Sequence, residues 1–199
     1  MEIKAFDRWS TSGIKVEDPG LKRYINLTPV FAPKTGGKNN VERFYKNKYF
    51  IVERLINKMM GTGHKAKHEH FISSGHFGGN AQLVIKIVEG AFEIIENKLK
   101  KNPIEVFVKA LENAAPREEI VTIEYGGARY PKAVECAPQR RIDLALRYMT
   151  RGAYQKAFNK KKNIKEALAE EIMAAYQMSA NSVAISKKNE LERQADSSR

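Results

Sequence analysis

Apolar residues recur at helical spacing through most of the chain but not at its start. Over residues 1–40, Gly13, Pro19, Gly20, Pro29, Pro33, Gly36 and Gly37 interrupt every candidate element. The pattern predicts an extended N-terminal arm over 1–40 that becomes ordered on a partner. A stripe at helical spacing then begins near Val41. It runs through Phe44, Ile51, Val52, Leu55, Ile56 and Met59, and Gly61 and Gly63 end it. Val84, Ile87, Val88, Ala91, Ile95 and Leu99 predict a second helix over residues 81–99. The third starts at Asn102-Pro103-Ile104-Glu105, with Asn at the N-cap, Pro at the first helical position and a carboxylate at the third. Ile104, Phe107, Val108 and Leu111 continue it, and Pro116 closes it. Ile142, Ala145, Leu146 and Met149 mark a fourth helix. Asn163 and Glu166 cap a fifth, which carries Leu168, Ile172 and Ala175 inward. A sixth, from Ser182, is poor in apolar residues and reads as a surface helix.

Between the third and fourth helices the period changes to two. Gly126-Gly127 suits the positive φ values of a two-residue hairpin turn. That turn pairs Tyr125 with Ala128, Glu124 with Arg129 and Ile123 with Tyr130, and the Glu124–Arg129 pair is favourable. Pro131 has no N–H for a ladder, so its strand is an edge. With two strands in all, both are edges, and such a ribbon is marginal alone in water. It must lie on the helices or be held by a partner. The tip offers Tyr125, Gly126, Gly127, Ala128, Arg129, Tyr130 and Lys132. Flat rings and cations of this kind stack on bases and meet phosphates. The fold class expected is mainly α: six helices over 41–199, a β-hairpin arm near 119–136 between the third and fourth, and the basic N-terminal arm.

Charge narrows the partner. The chain holds 35 Lys+Arg against 23 Asp+Glu, a formal net charge of +12, which points to a polyanion. Residues 1–60 carry 12 basic and 6 acidic side chains, and residues 151–199 carry 10 and 6. Residues 111–150 balance at 6 and 6, so much of the excess lies toward the ends. Lys46 and Lys48 alternate with Tyr45 and Tyr49. Arg140, Arg147 and Arg151, spaced by seven and four, share a helix face opposite the apolar stripe, with Arg141 beside them. Any one such cluster is ordinarily a solvated face. Several of one sign, extended by Asn-Lys-Lys-Lys-Asn at 159–163, favour RNA or DNA. Cys136 is the only cysteine, which excludes an internal disulfide and suits a reducing, cytoplasmic setting. No apolar run approaches the roughly 20 residues of a membrane helix, and the opening lacks the apolar core of a signal peptide.

Catalytic signals are absent. His64, His68, His70 and His76 fall close together, and His64 and His68 stand four apart. Their flanks are rich in glycine and the pattern is not His-Glu-x-x-His, so no metal site is expected. The segment reads instead as a polar loop whose Lys65 and Lys67 add positive charge. There is no phosphate-binding loop and no nucleophile elbow, so neither a cofactor nor an enzyme is expected. A metal-dependent hydrolase built on the histidine loop is one alternative. A free-standing nucleic-acid-binding regulator is the other, although such a regulator has no need of the ribbon.

Five motifs in order carry a resemblance. "IVERLINKMM", "NPIEVFVKALEN", "ENAAPREEI", "GGARYPKAVECAPQRRIDLALRYM" and "SVAISKKNELER" resemble the small-subunit ribosomal protein seven family over residues from about 48 to 199. The opening "FDRWST" looks like its archaeal and eukaryotic branch, whose eukaryotic member is called small-subunit protein five. The loop from Thr62 to Asn80 is longer than the link of that family. The resemblance implies a six-helix bundle with a projecting ribbon, monomeric within the ribosome. It implies binding to the 3′ major domain of small-subunit rRNA, contact with other head proteins, and nucleation of head assembly. It implies a ribbon that reaches the exit-site tRNA and the mRNA exit path. On that basis Lys58, Arg117, Lys187 and Lys188 join Lys46, Lys48, Lys65, Lys67, Arg140, Arg141, Arg147 and Arg151 as expected rRNA contacts. The double arginine would hold the ribbon's base on rRNA.

Overall fold

Five of the described helices begin on side-chain caps, three of them at starts read from the sequence. Asn102 accepts the N–H of Ile104 at 3.0 Å, Asn163 that of Lys165 at 3.2 Å, and Ser182 that of Ile185 at 3.4 Å. These starts open α4 (Pro103–Ala114), α6 (Ile164–Tyr176) and α7 (Val183–Asp196). A computed structural model describes residues 3–35, 42–62 and 79–198. Its other elements are α1 (Pro19–Lys22), α2 (Ile51–Met60), α3 (Ala81–Leu99) and α5 (Pro138–Ala157), with strands β1 (Glu118–Tyr125) and β2 (Ala128–Glu135). The six helices read from periodicity are α2 to α7. The ribbon falls between the third and fourth of them, α4 and α5, as expected.

The core joins Ile51, Leu55, Ile56 and Met59 of α2 to Phe92 and Ile95 of α3, Phe107 and Leu111 of α4, Ile142 and Met149 of α5, and Leu168 and Ile172 of α6. The apolar stripes of these helices bury against one another because no other surface can take them. The first helix starts later than its stripe. Residues Tyr45–Lys48 form a 3₁₀ turn, and α2 begins only at Ile51. Tertiary pairing decides this. The Asn26 carbonyl accepts the Ile51 N–H at 3.0 Å, and the Asn26 amide donates to the Lys48 carbonyl at 2.6 Å, which holds Tyr49 extended.

The N-terminal segment departs further from expectation. It is irregular, but it is not free of the bundle. Ala5, Trp9, Leu21 and Ile25 are buried, and Trp9 sits edge-on to Phe92 with ring centroids 5.8 Å apart. Polar side chains fasten the backbone at intervals. The Trp9 indole donates to Glu96 at 3.0 Å, and the Asn102 amide donates to the Ser10 carbonyl at 2.7 Å. Glu112 accepts the N–H groups of Glu17 and Asp18 at 2.7 and 3.1 Å, and buried Glu53 accepts that of Thr35 at 2.9 Å. Residues 3–35 therefore form a strap across the helices. Limited proteolysis of RNA-free protein checks this: the segment should resist cleavage, and Trp9→Ala should expose it. Rapid removal from the wild-type chain would show that the strap forms only on a partner.

The ribbon pairs in the register read from its turn, from Tyr125 opposite Ala128 to Glu118 opposite Glu135. Gly126 and Gly127 have φ of +58° and +84°, the values a tight hairpin turn needs and side-chain-bearing residues resist. Pro131 faces Thr122 in the outer ladder. The base of the ribbon lies against α7, while residues 121–132 are exposed.

Candidate nucleic-acid interface

Asp143, on α5, organises a basic face of the bundle. One of its oxygens accepts from the Arg54 guanidinium at 3.2 Å and the other from Lys46 at 3.3 Å. Arg54 is buried and also donates to the Tyr24 carbonyl at 3.1 Å. Burial pulls the Arg54 pKa below its usual value, and Asp143 opposes that shift. This staple ties α2, α5 and the 3₁₀ turn together and sets cations around one carboxylate. Arg147 lies one turn along α5 and is exposed. With Arg151 and Thr150 it lines a groove against Asn57 and Lys58 of α2. Burial lowers the Lys58 pKa. Asp143 raises it, and the charges of Arg147, Lys46 and Arg54 lower it again. An ammonium held among like charges is relieved by a phosphate placed between them.

Lys46, Lys58, Arg147 and Arg151 are thus brought together on neighbouring turns of α5, α2 and the 3₁₀ turn. Lys48 stands at the edge of this face, 3.6 Å from Glu42 and over the Tyr45 ring. Arg43, Phe44 and Arg54 also belong to it; spacing read Phe44 as part of the first apolar stripe, but it lies before α2 and is exposed. Arg54 carried no signal, because a buried arginine and a surface arginine look alike in sequence.

The double arginine divides. Arg140 is half exposed and grips Glu119 of β1 with Nε and Nη2, each at 2.6 Å. Arg141 is 11% exposed and turns inward, donating to Asp18 at 2.8 Å and to the Pro116 carbonyl at 3.1 Å. It joins α5, the ribbon's base and the strap. Burial disfavours the Asp18 carboxylate. Hydrogen bonds from Arg141 and the Gly20 N–H, with the charges of Arg141 and Arg117, outweigh that and hold its pKa below the ordinary 3.8. A depressed carboxylate stabilises the fold above its unfolded pKa, and that stabilisation is lost as pH falls through the folded value. Asp18→Asn should therefore cost stability at neutral pH, and the deficit should shrink in acid below 3.8. Urea midpoints at the two pH values check this, and an equal deficit at both would contradict it.

The other expected contacts lie elsewhere. Arg117 is exposed at the ribbon's base and its backbone N–H donates to Glu192 at 3.0 Å. Lys188 donates to the Asn113 carbonyl at 2.9 Å. Both line a groove of mixed sign that includes Glu17, Asp18 and Glu112. Lys187 pairs with Glu190 at 2.6 Å. Lys65, Lys67 and the four histidines lie outside the described residues. Among the described residues no group of three or more His, Cys, Asp and Glu is placed to hold a metal. The buried Cys136 thiol is pushed up to about 11 by burial and by Glu119, so it is no nucleophile at neutral pH.

The ribbon's outer half is a second exposed surface. Val121, Ile123 and Tyr125 alternate onto one face, and Lys132 and Tyr130 stand opposite the first two. Tyr125 is 82% exposed, and Tyr130 and Lys132 are also exposed. Arg129 lies 3.6 Å from Glu124 on the other face. Gly126, Gly127 and Ala128 form the exposed turn between the strands. No described helix is long and apolar enough to cross a membrane.

Comparison with known proteins identifies the family. Residues 21–199 match the family "Ribosomal protein S7p/S5e". The small ribosomal subunit protein uS7 of Nanoarchaeum equitans (strain Kin4-M) is 52% identical over 199 residues, covering 100% of each chain. The small ribosomal subunit protein uS7 of Methanothermobacter thermautotrophicus (strain Delta H) is 47% identical over 192 residues, 96% of this chain and 97% of its own. The resemblance carried by the five motifs, including its archaeal branch, is borne out: the chain belongs to the ribosomal protein S7p/S5e family, whose members are structural proteins rather than enzymes.

Proposed function

We propose that this chain is a structural rRNA-binding protein of the small ribosomal subunit in the cytoplasm. It seats on the 3′ major domain of the RNA and nucleates assembly of the head beside other head proteins. The observation that carries this reading is the face around Asp143, where Arg43, Lys46, Lys58 and Arg147 gather near one carboxylate and Arg151 extends the row along α5 beside Lys58. Phosphate contacts position a protein on RNA, and arginine forks suit phosphate oxygens. Arg140 borders this face and can turn part of its fork outward. Arg141 acts from beneath, by fixing the angle between ribbon, strap and α5. Binding to transcribed 3′ major domain, compared with the 5′ domain of the same RNA, tests the assignment. Equal affinity for both would remove it.

The ribbon's outer half serves a different end. Its tyrosines and Lys132 meet the exit-site tRNA and the departing mRNA. Residues 121–132 are exposed, so the bundle does not depend on them. Deleting residues 124–130 and closing with a two-residue turn should leave the melting temperature and head-protein occupancy near wild type. Exit-site tRNA should dissociate faster from such subunits. Loss of the head, or unfolding of the bundle, would make the ribbon a structural element instead.

A further inference from the structure

The groove beside Asp143 carries more than charge. Its wall is Phe44, which is 54% exposed at the start of the 3₁₀ turn. Tyr24 supports that ring edge-on, with centroids 6.5 Å apart, and the Arg43 guanidinium lies 5.8 Å from its centroid. Arg140 and Arg147 also line the groove, and Asp143 is the one carboxylate among the lining residues. The groove holds roughly 390 Å³, room for one planar heterocycle with its sugar. An aromatic ring of this size left open to water gains little by facing solvent. With Arg43 over it and other guanidinium groups lining the same groove, it offers a flat stacking surface bordered by phosphate-binding cations. Asp143 gives each oxygen to one donor, and a carboxylate oxygen accepts two. Its free acceptor capacity suits the N–H edge of a base.

We propose that this groove takes a single unstacked nucleobase of the bound RNA. The ring stacks on Phe44, the adjoining phosphates lie on Arg43 and Arg147, and an N–H edge faces Asp143, which favours guanine. This rests on the rRNA-binding reading above and adds base recognition to a face otherwise read as phosphate-binding alone. RNA recognition commonly works by such splayed bases on aromatic side chains.

The test uses transcribed 3′ major domain and the full chain. Phe44→Ala and Phe44→Leu should each weaken binding about tenfold, the cost of one lost base stack. Phe44→Trp should bind like wild type. The slope of log affinity on log salt should stay unchanged in all three, since no phosphate contact is lost. Kethoxal, which reports the guanine N1 and N2 edge, should find one nucleotide protected by wild type and Phe44→Trp but reactive with Phe44→Ala and Phe44→Leu. Circular dichroism melts confirm that each variant folds. Wild-type affinity and footprint in Phe44→Leu would overturn the pocket while leaving the rRNA-binding reading intact. Failure of the wild-type chain to bind the domain would overturn both.

Discussion

Glu171→Ala is expected to lower the unfolding free energy by about 3 kcal/mol, the low end for breaking a buried charge network. The Glu171 side chain has no exposure, yet it is fully partnered. Lys156 of α5 donates to it at 2.5 Å, the Ser182 hydroxyl at 2.8 Å and the Ala184 N–H at 3.1 Å. A single carboxylate thus joins α5, α6 and the first turn of α7. Alanine would strand a buried hydroxyl and an N–H and leave a void among three helices. Lys156 is 26% exposed and can recover some hydration, which keeps the estimate at the low end. Gln should lie between wild type and Ala, since its amide oxygen can still accept from Ser182 and Ala184, but its NH2 is a donor and cannot accept from Lys156. Gly152 probes the same packing from the facing helix, because a Cβ there would sit 2.9 Å from both the Glu171 carboxyl and Val183. Urea unfolding monitored by helical circular dichroism measures these effects. A loss for Glu171→Ala well under 1 kcal/mol would mean that α7 docks without this network.

The second large effect concerns RNA. Neutralising Arg43, Lys58, Arg147 and Arg151 together to Gln should reduce the slope of log affinity on log salt by about 3, at roughly 0.7–0.9 per phosphate contact. At moderate salt that amounts to a loss of about a hundredfold or more. These side chains are exposed or half-buried, so the helical signal should persist. The same four changes should weaken binding uniformly over RNA sequences, because phosphate contacts carry no base information. An unchanged slope would place the RNA on another face, with the mixed groove at Arg117 and Lys188 the next to test.

Local signals in the sequence were enough for local structure. The caps at Asn102, Asn163 and Ser182 and the glycine pair at 126–127 act on neighbours within three residues, so element starts and ribbon register could be read directly. The strap could not. Trp9, Leu21 and Ile25 have no period, and their burial depends on partners such as Glu96, Asn102 and Glu112 far along the chain. The late start of α2 has the same origin, since Asn26 captures the Ile51 N–H. At the site, helical spacing placed Arg147 and Arg151 together but gave no hint of which arginines turn inward. Arg140 and Arg141 are adjacent and chemically identical. Only the position of Asp18 and Pro116 beneath one, and of Glu119 beside the other, separates them.

The central claim, that this chain is an rRNA-bound protein of the small subunit, is tested most directly by sedimentation. Cell extract is resolved on a sucrose gradient at low and at high salt, and the protein is followed by mass spectrometry against the subunit RNAs. At low salt the protein should peak with the small subunit at one copy per particle and be absent from free large subunits. Its partial release at high salt should leave small subunits short of this protein and of its head neighbours. A protein that stays at the top of the gradient at both ionic strengths would contradict the account.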